Sequence, residues 1–292
     1  MIERPVFRFA PSPNGRLHLG HALSALYGFD MARRLGGRFL LRIEDIDVAR
    51  SKPEFIQGIY EDLEWLGIVW ERPVLLQSRH LEDYKAAADR LHSMGLLYPC
   101  FASRSDIEAA ANPSKRDPEG ALFYPGLWRG SAPGRVAQAK KAGLPFALRL
   151  DMDKAWALVQ ERLDGRPLQF SEAAEDGQPR VVRAEPQRWG DVIVLRKDVP
   201  ASYLLAVVVD DARQGVTHVT RGRDIFAATD VQRLLQVLLG LAEPLYSHHR
   251  VITDEDGRKL SKSHGDTSLA ELRRNGVQPA DIRRMVGLAA SF

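Results

Sequence analysis

Cysteine is nearly absent from this sequence of 292 residues. Its single cysteine, Cys100, excludes an internal disulfide and suits a reducing compartment. No apolar run approaches the length of a membrane span, and the N-terminus lacks the charged-then-apolar pattern of a signal peptide. We therefore expect a soluble, cytoplasmic protein with no membrane partner, and we take a monomer as the expected state.

A strong excess of charge of either sign is also missing. The formal net charge is +3 and the pI is about 9.0, which permits an RNA partner but is too mild to establish one. Hydrophobic residues make up 45% of the sequence and charged residues 27%. A chain of this length and composition can bury a full core and is long for one domain, so we expect two subdomains.

The clearest local pattern lies near the start. The apolar run at 6–10 predicts a buried strand, and a Pro/Gly-rich loop follows it. Apolar residues at helical spacing then predict a helix from Ala22 to about Leu35, and residues 38–43 predict a second strand. Together these segments predict a βαβ unit.

The loop of this unit delivers two imidazoles and a glycine to the start of the helix. Free N–H groups and the helix dipole make such a place a site for phosphate. His18 and His21 can donate to phosphate oxygens, with developing negative charge stabilising their protonated forms, and Gly20 lets a flat nucleobase approach. The pattern indicates a nucleotide site, although a histidine pair here can also be a helix cap or a metal site.

An acidic cluster, Glu44-Asp45-Ile46-Asp47, follows the second strand. Ligands of open α/β sheets bind at the carboxyl ends of strands, and a solvated strand end is the alternative.

Residues 103–145, rich in Ser, Ala, Gly and Pro, are interpreted as an insertion between two halves of the sheet. Further predicted elements are helices at 52–66, 79–94, 202–211 (helix favoured over strand by its length) and 230–239, and strands at 96–101, 146–150, 191–196 and 216–220.

Several segments together resemble the catalytic part of glutamyl-tRNA synthetases, which are class I aminoacyl-tRNA synthetases. They are FRFAPSPNGRLHLGH at 7–21, LRIEDID at 41–47, SYLLAVVVDD at 202–211, GVTHVTRG at 215–222 and KLSKS at 259–263. HLGH matches the HIGH signature and KLSKS matches KMSKS, in the family's order. The resemblance covers about residues 5–100 and 189–265. It implies an α/β fold with a Rossmann-type parallel sheet, an inserted subdomain and a short C-terminal helical segment.

The implied organisation divides the chain into four parts. They are residues 1–100 as the first half of the catalytic domain, 101–188 as an inserted acceptor-type subdomain, 189–245 as the second half, and 246–292 as the KLSKS loop and a short helical C-terminus.

The resemblance also implies roles for individual residues. His18, His21 and Lys262 act on ATP as it reacts, and Gly20 and Lys259 complete the ATP site. Glutamate is held by Arg8, Phe9, Ala10, Pro11, Ser12, Glu44, Tyr203 and Arg221. Arg221, Arg8 and the Tyr203 hydroxyl receive its side-chain carboxylate, and Glu44 receives its α-ammonium. The alternative for the two arginines is a purely structural role, in which Arg8 and Arg221 pair with Asp45, Asp210 or Asp211. The alternative for the two lysines is an ordinary solvated surface.

Only residues 264–292 follow the KLSKS segment, where full glutamyl-tRNA synthetases carry a large anticodon-binding region. The chain is similar to truncated members of the family. This implies ATP- and Mg²⁺-dependent activation of L-glutamate to glutamyl-adenylate, then transfer to the queuosine base at the wobble position of tRNA(Asp). The alternatives are a trimmed glutamyl-tRNA synthetase that charges the 3′ end of tRNA(Glu), a small nucleotidyltransferase of the same superfamily, and a catalytically silent paralogue that binds RNA.

A zinc site that many family members carry is degenerate here. Cys100 and Tyr124 match two of its positions, whereas Ala102 and Trp128 occupy the other two and cannot ligate a metal. We therefore expect no zinc, with Cys100 as a plain core residue. Aromatic packing around Phe101, Phe123 and Trp128 is expected to replace the metal.

Basic residues near the C-terminus are candidates for contacts with RNA phosphates, and a solvated helix face is the alternative. They are Arg273, Arg274, Arg283 and Arg284.

Overall fold

The computed structural model describes residues 4–173, 178–199, 201–252 and 267–289. The strands in these residues are β1 (Val6–Phe9), β2 (Arg38–Ile43), β3 (Glu71–Leu76), β4 (Leu97–Cys100), β5 (Ala147–Leu150), β6 (Gln169–Ala173), β7 (Pro179–Arg183), β8 (Ile193–Leu195), β9 (His218–Gly222) and β10 (Leu245–His249). The helices are α1 (Leu19–Arg34), α2 (Pro53–Trp65), α3 (Leu81–Ser93), α4 (Arg104–Ala110), α5 (Pro133–Lys141), α6 (Met152–Arg162), α7 (Tyr203–Arg213), α8 (Ala228–Leu239), α9 (Leu269–Arg274) and α10 (Pro279–Met285).

Seven of the strands form one sheet in the order β3-β2-β1-β9-β10-β6-β7. All neighbours in it run parallel except the edge pair β6–β7, which is antiparallel. The predicted α/β fold with a parallel sheet is confirmed. Because the parallel strands point the same way, the carboxyl ends of β1, β9 and β10 meet at one edge, where open α/β sheets bind ligands.

A second, antiparallel sheet has the order β4-β5-β8. Its strands come from both sides of the predicted boundary at residue 188, and β6 and β7, which precede that boundary, join the large sheet. The expectation that 101–188 forms one inserted unit therefore does not hold for residues 169–183. Strand β6 joins the large sheet because its Phe170 is buried against two aromatic residues. The Phe170 ring centroid lies 5.6 Å from that of Tyr246 and 5.8 Å from that of Phe226.

The large sheet is covered on both faces because its strands alternate apolar side chains between two cores. On β1, Val6 packs on the side of α3, α6, α7 and α8, whereas Phe7 and Phe9 pack on the side of α1, α2, α9 and α10. Residues 203–211 fall in helix α7 and Ser202 is its N-cap, so the helix predicted from the length of this segment is confirmed. None of the described helices is long and apolar enough to cross a membrane.

The C-terminal helices are attached to this second layer. Leu269 and Ile282 are buried among residues of α1 and α2. Arg283 donates to both carboxylate oxygens of Asp30 at 2.8 and 2.7 Å. Arg273 donates to the Glu61 carbonyl at 3.1 Å.

Two of the four basic residues proposed for RNA phosphates, Arg273 and Arg283, thus serve packing between helices, and Arg283 is not on a solvated face. Arg284 pairs with Asp281 within one helical turn, and Arg274 is exposed.

Close approach of α1 to β9 depends on Gly28, because a Cβ added there would lie 2.6 Å from Thr220 Oγ1. We expect Gly28→Ala to lower the free energy of unfolding by about 1–3 kcal/mol, since overpacking forces buried groups apart. Gly134 in α5 offers a matched control, because nothing lies within 4 Å of an added Cβ. Gly134→Ala should be neutral or slightly stabilising. Chemical denaturation of both variants measures the difference, and equal stabilities would contradict the packing argument.

Candidate active site

A cleft of about 650 Å³ opens at the carboxyl ends of β1 and β9, beside the start of α1. Every residue that the sequence predicted for the site, within the described part of the chain, lines this cleft. They are Arg8, Phe9, Ala10, Pro11, Ser12, His18, Gly20, His21, Glu44, Tyr203 and Arg221. Lys259 and Lys262 lie outside the described residues.

The two histidines cap helix α1. The Gly20 N–H donates to His18 Nδ1 at 3.1 Å, and the His18 N–H donates to His21 Nδ1 at 3.2 Å. Their ring centroids are 3.9 Å apart. Because a nitrogen that accepts carries no proton, this arrangement assigns neutral rings with the proton on Nε2. The protonated forms expected as negative charge develops on a ligand stay a prediction. The capping hydrogen bonds are present whatever role the two histidines have toward a ligand.

Gly20 makes room for one of these rings. A Cβ at this position would lie 2.9 Å from His18 Cε1 and 3.1 Å from His18 Nδ1. An added Cβ would thus crowd the His18 imidazole, and the approach of a flat ligand to Gly20 stays a prediction.

Arg8 reaches the cleft from an ion network. Its Nε and one terminal nitrogen donate to the two carboxylate oxygens of Asp211 at 3.0 and 3.3 Å. The fully buried Arg42 donates to the same carboxylate at 2.7 Å. Burial tends to raise the pKa of Asp211, but the two guanidiniums outweigh burial and hold that pKa below its ordinary value. The alternative that Arg8 pairs with Asp211 is therefore correct, and Arg8 lines the cleft as well.

Glu44 is the member of the acidic cluster that lines the cleft. Its side chain is 8% exposed and accepts from Arg42 at 3.2 Å. Burial raises its pKa above the ordinary value, against the opposing effect of Arg42 and Arg8. Asp45 is occupied elsewhere, since it accepts from the Ser78 N–H and hydroxyl at 2.8 and 2.6 Å. A cation bound in the cleft would offset the burial of Glu44.

Arg221 stands at the end of β9 and is held differently. Its Nε donates to His248 Nε2 at 3.0 Å, and its terminal nitrogens donate to Gln232 Oε1 at 2.8 Å and Thr229 Oγ1 at 2.6 Å. The Tyr246 ring lies under the guanidinium at 5.3 Å. Arg221 makes none of the pairings with Asp45, Asp210 or Asp211 that the alternative interpretation required. Tyr203, the first residue of α7, is exposed beside it in the cleft.

Some residues of the cleft were not found from the sequence. Ser24, Asp224 and His249 also line it. His249 Nε2 lies 2.8 Å from Ser24 Oγ, which ties the end of β10 to α1. Strand β10 was not predicted, so nothing placed its carboxyl end at this edge. The sequence did offer one indication of β10, namely its position after α8. In α/β folds with a parallel sheet, a strand usually follows each helix.

The degenerate metal position is a packed cluster. The Cys100 thiol lies 3.2 Å from the Tyr124 hydroxyl, and the Trp128 N–H donates to that hydroxyl at 3.1 Å. Cys100 is buried, as predicted, and Phe101 packs on Trp128 with centroids 4.7 Å apart. One thiol and one phenol do not fit a tetrahedral zinc site.

Phe123 lies apart from this cluster, against Lys115 and Gly190. The described residues contain no group of three His, Cys, Asp or Glu that could hold a metal. The absence of zinc stays a prediction.

The model of the class I tRNA synthetase (E and Q) catalytic domain matches residues 6–290. The chain therefore belongs to this family, and it is a ligase of the aminoacyl-tRNA synthetase type.

Two curated relatives are named glutamyl-Q tRNA(Asp) synthetase. The one from Rhodobacter capsulatus is 47% identical, and the match covers 97% of this chain and all of the relative. The one from Symbiobacterium thermophilum is 40% identical, with 94% and 83% covered. A solved glutamate-tRNA synthetase from Elizabethkingia anophelis has a TM-score of 0.71 and 25% identity, covering 90% of this chain. The chain spans about half the length of that structure.

The double role of His18 can be separated by substitution. Asparagine is a good N-cap, so His18→Asn should keep stability near that of the parent, whereas His18→Ala should lose about 1 kcal/mol. Both variants remove Nε2, and both should lose amino-acid-dependent ATP–pyrophosphate exchange. Denaturation and exchange assays on the pair provide the measurement. Full activity in His18→Asn would show that capping is the whole role of this imidazole.

Proposed function

We propose that this ligase activates L-glutamate with ATP to glutamyl-adenylate and transfers the glutamyl group to the queuosine base at the wobble position of tRNA(Asp). One observation carries the first half of the proposal. Two guanidiniums and a buried carboxylate, those of Arg8, Arg221 and Glu44, line the same cleft as the histidine pair. The names of the two curated relatives support the second half.

Glutamate fits this set of charges. An acidic side chain needs a cation, and a guanidinium can bind a carboxylate through two parallel hydrogen bonds. Arg221 takes this role, with Arg8 and the Tyr203 hydroxyl as companions. Glu44 receives the α-ammonium, and Ser12 with the backbone of residues 8–11 completes the pocket. This orientation leaves the α-carboxylate directed toward the histidines.

ATP binds at the start of α1. An oxygen of the glutamate α-carboxylate bonds to the α-phosphorus, the bond from that phosphorus to the bridging oxygen breaks, and pyrophosphate leaves. The Nε2–H groups of His18 and His21 donate to phosphate oxygens, where charge builds. Gly20 belongs to the same site. Lys259 and Lys262 hold the leaving pyrophosphate, and Mg²⁺ bound with ATP would offset negative charge on the phosphates.

A queuosine hydroxyl then attacks the mixed anhydride. An ester bond to the glutamyl carbonyl forms, the hydroxyl proton is lost, and AMP leaves. We place this reaction in the cytoplasm and take the working state to be a monomer.

Arg221→Gln tests the glutamate pocket. The variant keeps a polar side chain but removes the charge, so we expect the KM for glutamate in pyrophosphate exchange to rise at least about 100-fold, while the KM for ATP changes less than about threefold. Arg233→Gln is the control. Arg233 lies outside the cleft, where it donates to a carbonyl of β6 and forms an ion pair with Glu243. An unchanged KM for glutamate in Arg221→Gln would remove Arg221 from the pocket.

The acceptor is identified by labelling. Radioactive glutamate should enter queuosine-containing tRNA(Asp) and not the unmodified transcript, and the label should be released by mild alkali from the anticodon fragment. Label at the 3′ end of tRNA(Glu) would instead establish a trimmed glutamyl-tRNA synthetase. No pyrophosphate exchange at saturating glutamate would favour the catalytically silent paralogue.

A further inference from the structure

We propose that three neutral hydrogen-bond acceptors, Thr229, Gln232 and His248, fix the Arg221 guanidinium without neutralising it, and thereby make the pocket selective for a carboxylate over its neutral amide. The inference rests on the proposed function, in which Arg221 receives the side-chain carboxylate of glutamate. The three acceptors are positioning residues, since they act through Arg221.

The contrast with the neighbouring arginines carries the inference. Arg8 and Arg221 are equally buried, at 5% exposed, and Arg42 is fully buried. Arg8 and Arg42 each contact the Asp211 carboxylate, and Arg42 contacts Glu44 as well. Across the described residues, in contrast, no carboxylate oxygen lies within 4.0 Å of an Arg221 nitrogen. Burial without a counter-ion is costly for a cation, so an anion that enters the cleft would interact favourably with Arg221.

The donors of Arg221 are divided in a way that suits such an anion. A guanidinium has five N–H groups. The Nε–H goes to His248, and each terminal nitrogen gives one N–H, to Gln232 and to Thr229 respectively. One N–H therefore remains on each terminal nitrogen, and a carboxylate can accept from both terminal nitrogens of a guanidinium.

His248 keeps a nearby carboxylate at a distance. Since its Nε2 accepts from Arg221, the neutral ring carries its proton on Nδ1, which lies 3.4 Å from Glu172 Oε2. Burial and the Arg221 charge lower the pKa of His248 to about 2, in agreement with a neutral ring. Among the described residues, neither His248 Nδ1 nor Glu172 Oε2 has a hydrogen-bond partner, and the imidazole ring separates this carboxylate from the guanidinium. A carboxylate in direct contact would compete with the substrate for the same charge.

Gln232→Glu tests this arrangement with a nearly isosteric change. The new side chain keeps an acceptor 2.8 Å from Arg221 but adds a negative charge. We expect the KM for glutamate to rise about 100-fold, kcat and the KM for ATP to change less than about threefold, and the preference for glutamate over glutamine in kcat/KM to fall at least about tenfold. A merely structural role for Gln232 would not move this preference, because the hydrogen bond is retained.

Gln236→Glu is the matched control. Gln236 lies one turn later on α8 and is 2% exposed, against 1% for Gln232, and it bonds the Tyr246 hydroxyl at 2.9 Å instead of Arg221. It also buries a new carboxylate, so it reports the general cost of one. We expect its KM for glutamate and its preference over glutamine to stay within about threefold of the parent.

Gln232→Met removes the acceptor and adds no charge. Here we expect a rise of about tenfold in the KM for glutamate with the preference over glutamine retained. If Gln232→Glu does not fold, as judged by circular dichroism, this variant decides the question, and an unchanged KM overturns the inference.

Arg221→Gln distinguishes an error in the proposed glutamate pocket from an error in the role of the three neutral acceptors. If that variant activates glutamate normally, the proposed pocket itself is wrong. If it fails to activate glutamate while Gln232→Glu keeps the parental KM and preference, the pocket stands and the inference about the neutral acceptors is overturned.

Discussion

The carboxylate of Asp211 is the point on which the catalytic edge of this molecule depends. It receives donors from Arg8 on β1 and Arg42 on β2, while its own backbone belongs to α7. Three elements from distant parts of the chain therefore converge on one buried charge. Removing a member of such a set leaves uncompensated charge in the interior, which costs more than the pair contributes. The network fixes the ends of β1 and β2, and with them the position of Glu44 and of the loop that leads to His18.

The start of α1 shows how one side chain serves structure and chemistry together. The Nδ1 atoms of His18 and His21 satisfy two backbone N–H groups that a helix start leaves without partners. This engagement fixes the tautomer, so the proton of each ring sits on Nε2. A backbone cap of this kind orients a donor more rigidly than a free side chain could, because the ring is held at both its backbone and its Nδ1. The interpretation as a cap and the interpretation as a ligand site are therefore not alternatives.

Sequence reasoning was sufficient where the signals are local. The first strand, α1 and β2 follow from apolar periodicity and glycine stops, and the motif residues they carry all line one cleft. Sequence reasoning failed for strands whose position depends on pairing with distant parts of the chain. Strands β6, β7 and β10 are short and carry polar residues such as Glu172 and His248, whose burial depends on partners far away in the chain. The acceptors around Arg221 come from α8 and β10, and no spacing rule connects them to the GVTHVTRG segment.

The three buried arginines of this edge illustrate why residue type alone cannot assign a function. Arg42 is surrounded by carboxylates and serves to hold the sheet edge together. Arg8 shares its charge with Asp211 and also lines the cleft. Arg221 is equally buried but contacts neutral acceptors, so its charge is directed to whatever enters the cleft. Burying a charge costs free energy, so a buried cation without a counter-ion says more about function than the contacts that the cation makes. An arginine held in place by neutral groups keeps its charge available to an anion that enters the cleft, and this availability is itself a form of selectivity.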